Sequence, residues 1–92
     1  MSVSFEKRAV IPSDVLVSEL GGEAVLLNLK TESYFGLDEV GARMWSVVTT
    51  ADSVQSACDA LVEEYEVEPA RLEDDLNQLL SELVDNGLLE LQ

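Results

Sequence analysis

An α+β fold follows from the order of hydrophobic patterns along the 92 residues. Three short segments rich in β-formers crowd together between Val15 and Leu37, separated only by tight-turn residues. Three patterns with helical period fill the rest of the chain. Strands grouped ahead of helices predict a three-stranded antiparallel meander followed by three helices that pack on one face of the sheet.

The first strand is Val15–Leu20, VLVSEL, which ends at Gly21-Gly22, a pair suited to a two-residue hairpin turn. Glu23–Leu29, EAVLLNL, is the second, and its near-continuous apolar character predicts burial on both faces. Lys30-Thr31-Glu32 makes a polar turn into the third strand, Ser33–Leu37, SYFGL. Asp38 is placed to cap the first helix, with Val40, Met44, Trp45 and Val48 at helical spacing. Asp52 is expected to cap the second, with Gln55 in capping-box position and an apolar stripe of Val54, Ala57, Cys58, Leu61, Val62 and Tyr65. Pro69 fits the first turn of the third helix, where its missing N–H costs nothing. Leu72, Leu76, Leu79, Leu80, Leu83 and Val84 give that helix its apolar face. Asn86-Gly87 ends it, Leu88 folds back as the apolar contact of the cap, and Leu89 to Gln92 form an extended tail.

Length and composition predict one domain spanning residues 1–92, with 47% hydrophobic residues sufficient for a core without metal or disulfide staples. Residues 1–12 carry no pattern of their own and are expected to be loosely ordered. No apolar run exceeds four residues, against roughly 20 for a membrane span, and the N-terminus lacks the apolar stretch of a signal peptide. A cytoplasmic protein without a membrane partner is therefore expected. Cys58 is the single cysteine, has no intrachain partner, and sits in an apolar stripe, which predicts a buried and inert thiol.

Charge narrows the function further. Nineteen acidic residues face five basic ones, a net charge of -14. Nucleic-acid binding rests on Lys and Arg neutralising phosphates, so this surface would repel a phosphate backbone. The acids either solvate the surface or steer a basic partner toward it. The chain has no histidine, which removes the commonest general base and metal ligand, and one cysteine cannot build a zinc site. Glu63-Glu64 and Asp74-Asp75 fall on exposed helix positions, and Gly21-Gly22 matches no phosphate-binding loop. The expectation is a protein with no catalytic residues, no metal and no cofactor.

The segment from Glu23 to Trp45, EAVLLNLKTESYFGLDEVGARMW, resembles the PqqD-like family, the recognition elements of ribosomally made, post-translationally modified peptides (RiPP recognition elements). The resemblance is carried by a strand ending in Leu-Asn-Leu, a polar turn, Tyr-Phe-Gly-Leu, and Asp-Glu-Val-Gly-Ala before an aromatic. The ending LLSELVDNGLLEL is similar to the family's last helix followed by Gly-Leu-Leu. The likeness covers residues 14–91, and a free-standing module this short looks most like the leader-binding proteins of lasso-peptide biosynthesis. It implies a winged helix-turn-helix-like fold that no longer binds DNA. It also implies a peptide chaperone that takes the leader of a precursor peptide as an added strand on the third strand, beside the third helix. The partners implied are the precursor leader and the modifying enzymes, a leader peptidase and a peptide cyclase, around a monomeric module.

The third strand is a meander edge, so residue reading reaches the same place: an edge offers backbone hydrogen bonds and side-chain pockets give selectivity. Carried onto this sequence, Ser33, Tyr34 and Phe35 supply the edge. Leu27 and Leu29 from the second strand, with Leu72, Asp75, Leu76 and Leu79 from the third helix, line the groove. Alternation sends Tyr34 and Phe35 to opposite faces without saying which faces the ligand. A competing reading takes Asp52-Ser53-Val54 and the acidic helix after it as similar to an acyl-carrier protein, with phosphopantetheine on Ser53. That family is all-helical, whereas three strands precede Ser53 here.

Overall fold

The computed structural model describes residues 3–92. The chain runs β1 (Ala9–Val10), β2 (Val15–Leu20), β3 (Glu23–Asn28), β4 (Ser33–Leu37), α1 (Glu39–Thr50), α2 (Val54–Tyr65), α3 (Pro69–Asp85) and β5 (Glu90–Leu91). The strands β2-β3-β4 form the expected antiparallel meander ahead of three helices, an α+β fold. A second sheet, which the sequence did not announce, pairs β1 with β5: Ala9 lies opposite Leu91 and Val10 opposite Glu90.

Gly21 and Gly22 turn the first hairpin at φ +62° and +84°. Two successive positive φ values are what a type I′ turn requires, and glycine adopts them without steric cost. The register that follows sets Leu20 opposite Glu23, Val17 opposite Leu26 and Leu16 opposite Leu27. Burial along β3 then alternates: Ala24, Leu26 and Asn28 are buried, while Val25 is exposed and Leu27 partly so. The expectation of burial on both faces of this strand is therefore corrected. The helices cover only one face of the sheet, and the period of two leaves every second apolar residue on the uncovered side.

Asp38 caps α1 as expected, its Oδ1 accepting the Gly41 N–H at 2.8 Å. Met44, Trp45 and Val48 enter the core, but Val40, in the first turn, remains 48% exposed. At α2 the cap shifts by one residue. Ser53, not Asp52, holds the extended backbone of an N-cap, and its Oγ accepts the Ser56 N–H at 3.1 Å. Ser56 Oγ returns the favour by accepting the Ser53 N–H at 3.2 Å, closing a capping box without Gln55. Gln55 instead donates to Asp59 one turn on. Tyr65, placed in the apolar stripe by spacing, is exposed at the C-terminal end of α2.

The N-terminal segment explains why α2 starts where it does. The Phe5 and Lys7 carbonyls accept the Gln55 and Val54 N–H groups at 2.7 and 2.8 Å. Amides of a first helical turn have no intrahelical acceptor, so the carbonyls of the turn before β1 satisfy them. Val3, 8% exposed, packs into the core, and its N–H donates to Asn77 Oδ1 on α3. Residues 3–10 are thus tied to α2 and the C-terminal strand by backbone bonds and to α3 through the Asn77 side chain, ties that leave no trace in hydropathy.

At the far end α3 stops in a Schellman cap. Leu88 N–H donates to the Leu83 carbonyl and Gly87 N–H to that of Val84, with Gly87 at φ +69°. Leu88 and Leu83 are both buried, the apolar contact that accompanies this cap. The core gathers Leu26 and Leu37 from the sheet, Trp45 and Val48 from α1, Val54 and Leu61 from α2, and Leu76, Leu80 and Leu83 from α3. No helix among the described residues is long and apolar enough to cross a membrane.

Candidate functional site

β4 is one of the two edge strands of the meander, with β2 the other, and has unspent hydrogen-bonding capacity. It pairs with β3 on one side, Leu26 opposite Phe35 and Leu27 opposite Tyr34, and no strand among the described residues pairs with its other side. The register decides which of its residues can use that free edge. A two-residue turn closes on a hydrogen-bonded pair, Leu20 and Glu23, and such pairs alternate along an antiparallel ladder. Val25 and Leu27 therefore direct their backbone groups to β2, while Ala24, Leu26 and Asn28 direct theirs to β4. Their partners Leu37, Phe35 and Ser33 are consumed by β3. Tyr34 and Gly36 are left to present N–H and C=O outward.

The side chains of β4 divide between the two faces. Phe35, opposite buried Leu26, turns toward the helices and is partly buried against the core. Tyr34 turns the other way and is 77% exposed. It stands in a cross-strand row with Leu27 and Leu16, beside Val25, around a shallow apolar cavity of about 430 Å³. Gly36, next to Val25 in register, adds no side chain, so the outer face stays open there.

The residues expected to form one groove are thus distributed over three places. Ser33 and Phe35 lie on the helix side of the β4 edge. Leu27 and Tyr34 lie on the outer face of the sheet, and Leu29, just past β3, is 50% exposed. On α3, Leu72 and Leu76 are sealed in the core at 3% and 0% exposure, Leu79 is half-buried at its margin, and Asp75 is exposed. A larger cleft, about 990 Å³, opens where β4 starts and α3 ends, with Asn28, Thr31 and Ser33 on the sheet side and Val84, Asn86 and Gly87 on the helix side. Sequence reading missed Asn28 and Gly36. The first hides as a polar residue in an apolar strand, and the second has only a backbone to present.

Electrostatics add a tie between helices rather than a reactive group. Arg43 on α1 grips Glu64 on α2 in a two-pronged pair, Nη2 to Oε1 at 2.7 Å and Nε to Oε2 at 2.9 Å. Hydrogen bonding to Arg43 holds the Glu64 carboxyl below its ordinary range, and Glu64 raises the Arg43 guanidinium in return. Burial pushes the Cys58 thiol up, with Glu73 and Asp59 adding to the effect. Among the described residues no group of three His, Cys, Asp or Glu side chains is placed to hold a metal ion.

The family model of coenzyme PQQ synthesis protein D (PqqD) matches residues 23–89, which runs from β3 through the Schellman cap. The chain belongs to the PqqD family. Two solved structures resemble this PqqD-family chain closely. TbiB1 in complex with the TbiA(beta) leader peptide is 38% identical, with a TM-score of 0.82 over 88% of this chain and 94% of that one. A lasso peptide synthetase B1 complexed with the leader peptide has a TM-score of 0.80 over 90% of this chain and 98% of its own. At 24% identity the second likeness is one of fold. No curated protein matches the sequence. Membership of the PqqD family accounts for the strand-turn-strand block with its Leu-Asn-Leu and Tyr-Phe-Gly-Leu segments. The segment before β3, which carries β1 and β2, lies outside the matched residues.

Proposed function

We propose that this protein is a non-catalytic recognition module that binds the leader region of a ribosomally made precursor peptide. The leader adds as a strand to the free edge of β4, and the module delivers it to modifying enzymes such as a leader peptidase and a peptide cyclase. The observation that carries this reading is the unpaired edge of β4, where register leaves the backbone of Tyr34 and Gly36 facing solvent. An added strand satisfies those groups whatever its sequence, so affinity comes from the ladder and selectivity from flanking side chains. The likeness to TbiB1, which was solved with a leader peptide, supports the same reading.

In this reading Ser33, Tyr34 and Phe35 form the docking edge, with Leu79 and Asp75 as the helix-side contacts. Leu27 and Leu29 meet those leader side chains that alternate onto the outer face. Leu72 and Leu76 act from beneath, holding α3 in place. Binding raises the effective concentration of the attached core peptide at the enzyme, with no bond made or broken by the module itself. The carrier-protein alternative loses its basis. Its attachment residue, Ser53, spends its hydroxyl in the capping box of α2, and three strands precede that helix.

The test is fluorescence-polarisation titration with a labelled leader peptide encoded beside the gene, repeated with leaders N-methylated at single positions. A strand added to an edge uses the N–H groups of alternate residues only. N-methylation should therefore abolish binding at every second position and spare the positions between. Uniform tolerance of N-methylation would rule out strand addition, and no binding by any neighbouring leader would rule out the recognition reading itself.

A further inference from the structure

Asn28 is one of two buried polar residues among those described, the other being Ser81, and the proposed function does not yet use it. It closes β3 on the helix side at 5% exposure, in a strand whose other inward residues are Ala24 and Leu26. Its side chain makes hydrogen bonds in two directions. Oδ1 accepts the N–H groups of Lys30 and Thr31 at 2.9 and 3.3 Å, shaping the turn that launches β4. Nδ2 donates to the carbonyls of Asn86 and Gly87 at 3.3 and 3.2 Å, in the cap that ends α3. One amide thus spans the two elements that flank the proposed peptide edge, at the point where the 990 Å³ cleft opens between them. A hydrophobic residue of similar volume would fill the space but leave those four backbone groups without this partner, and buried polar groups are costly to leave unpaired.

Resting on the leader-binding reading above, we propose that Asn28 is a positioning residue for peptide capture. It locks the start of β4 and the end of α3 in one frame, so that the edge and the helix stand at the separation a bound strand needs before the strand arrives. Affinity falls in proportion to the population held in the competent arrangement, so loosening the lock weakens binding even while the domain remains folded.

Asn28→Asp separates the two halves of the lock. A carboxylate keeps the acceptor for Lys30 and Thr31 but cannot donate to the Asn86 and Gly87 carbonyls. Gly87→Asn perturbs the same contact from the other side. Asparagine tolerates the left-handed backbone, but a Cβ at residue 87 comes within 3.0 Å of Asn28 Nδ2. Val54→Ala, a core truncation in α2 away from the cleft, is the control for stability loss alone. Leader affinity is measured for wild type and all three variants by fluorescence polarisation, with thermal melts for each.

The expected result is a loss of about tenfold or more in affinity for Asn28→Asp and Gly87→Asn, with Val54→Ala binding as wild type at temperatures where each is folded. Wild-type affinity in a folded Asn28→Asp or Gly87→Asn protein would overturn the proposal while leaving leader recognition intact. An equal loss in Val54→Ala would also overturn it, by showing that stability alone sets affinity. If Asn28→Asp does not fold, the Gly87→Asn arm decides. A wild-type protein that binds no leader would sink the recognition reading and this one with it.

Discussion

Asn28 and Gly87 meet across the molecule: the Asn28 Nδ2 donates to the Gly87 carbonyl at 3.2 Å, and a Cβ on Gly87 would come within 3.0 Å of that same nitrogen. Glycine is needed at residue 87 for two reasons that reinforce each other, the positive φ of the Schellman cap and the room left for the amide. Gly87→Ala is expected to lower stability by about 1–2 kcal/mol, the left-handed backbone cost for an L-residue, before any shift of Asn28 is counted. Urea unfolding of the variant checks this, and an unchanged midpoint would mean the cap relaxes freely.

Tyr34 and Phe35, adjacent in sequence, should behave differently when truncated. Phe35 is partly buried against the core, so Phe35→Ala is expected to cost about 2 kcal/mol of folding stability as well as binding. Tyr34 is 77% exposed, and surface substitutions usually stay within about 0.5 kcal/mol. Tyr34→Ala should therefore melt like wild type yet weaken leader binding by roughly 2 kcal/mol, the scale of an aromatic hot spot. Melting curves and polarisation titrations on the same samples separate the two effects.

Ser53→Ala removes the acceptor for the Ser56 N–H and should destabilise the domain by about 1 kcal/mol, the usual cost of losing a cap. Asp52→Ala, one residue earlier, should cost less, because Asp52 does not cap α2. Incubation of the wild type with coenzyme A and a promiscuous phosphopantetheinyl transferase should leave its mass unchanged. A mass gain at Ser53 would revive the carrier reading.

The pair between Arg43 and Glu64 makes a pH prediction whose sign is fixed by the direction of the shift. Glu64 is lowered in the folded chain by its hydrogen bond to Arg43. Its contribution is fully present above the ordinary glutamate pKa and is lost as pH falls through the lowered folded value. The melting-temperature difference between wild type and Glu64→Gln should be constant near neutrality and vanish in acid. Because both side chains are substantially exposed, added salt should also shrink it. A difference that grows on acidification would contradict the pairing.

Cys58 is expected to resist alkylation in the native protein. It is 1% exposed, and burial raises its thiol further above neutrality, so both access and thiolate fraction are small. Mass spectrometry after timed iodoacetamide treatment should show modification only when urea unfolds the chain. Rapid labelling under native conditions would show that α2 opens locally.

Much of this fold could be read directly from residue order. Gly21-Gly22 pointed to a hairpin because glycine takes two successive positive φ values without steric cost. Pro69 and Asn86-Gly87 bracketed α3, and the apolar spacing from Leu72 to Val84 declared its buried face. The β4 edge was legible as well, since the third strand of a meander has nothing after it to pair with. The Leu-Asn-Leu and Tyr-Phe-Gly-Leu segments carried the family. What hydropathy could not show were contacts made by backbone groups. The Phe5 and Lys7 carbonyls that start α2, and the pairing of β1 with β5, are of this kind.

By itself, then, the sequence determined the order of the meander strands and the three helices, the ends of α3 and the absence of histidine chemistry, because propensity and periodicity act between near neighbours. Tertiary structure decided which face of the sheet the helices cover. It thereby sent Phe35 inward and Tyr34 outward and left half of an apolar strand exposed. It also brought Asn28 to Gly87, residues far apart in the chain, because a buried amide finds its acceptors only where packing places them.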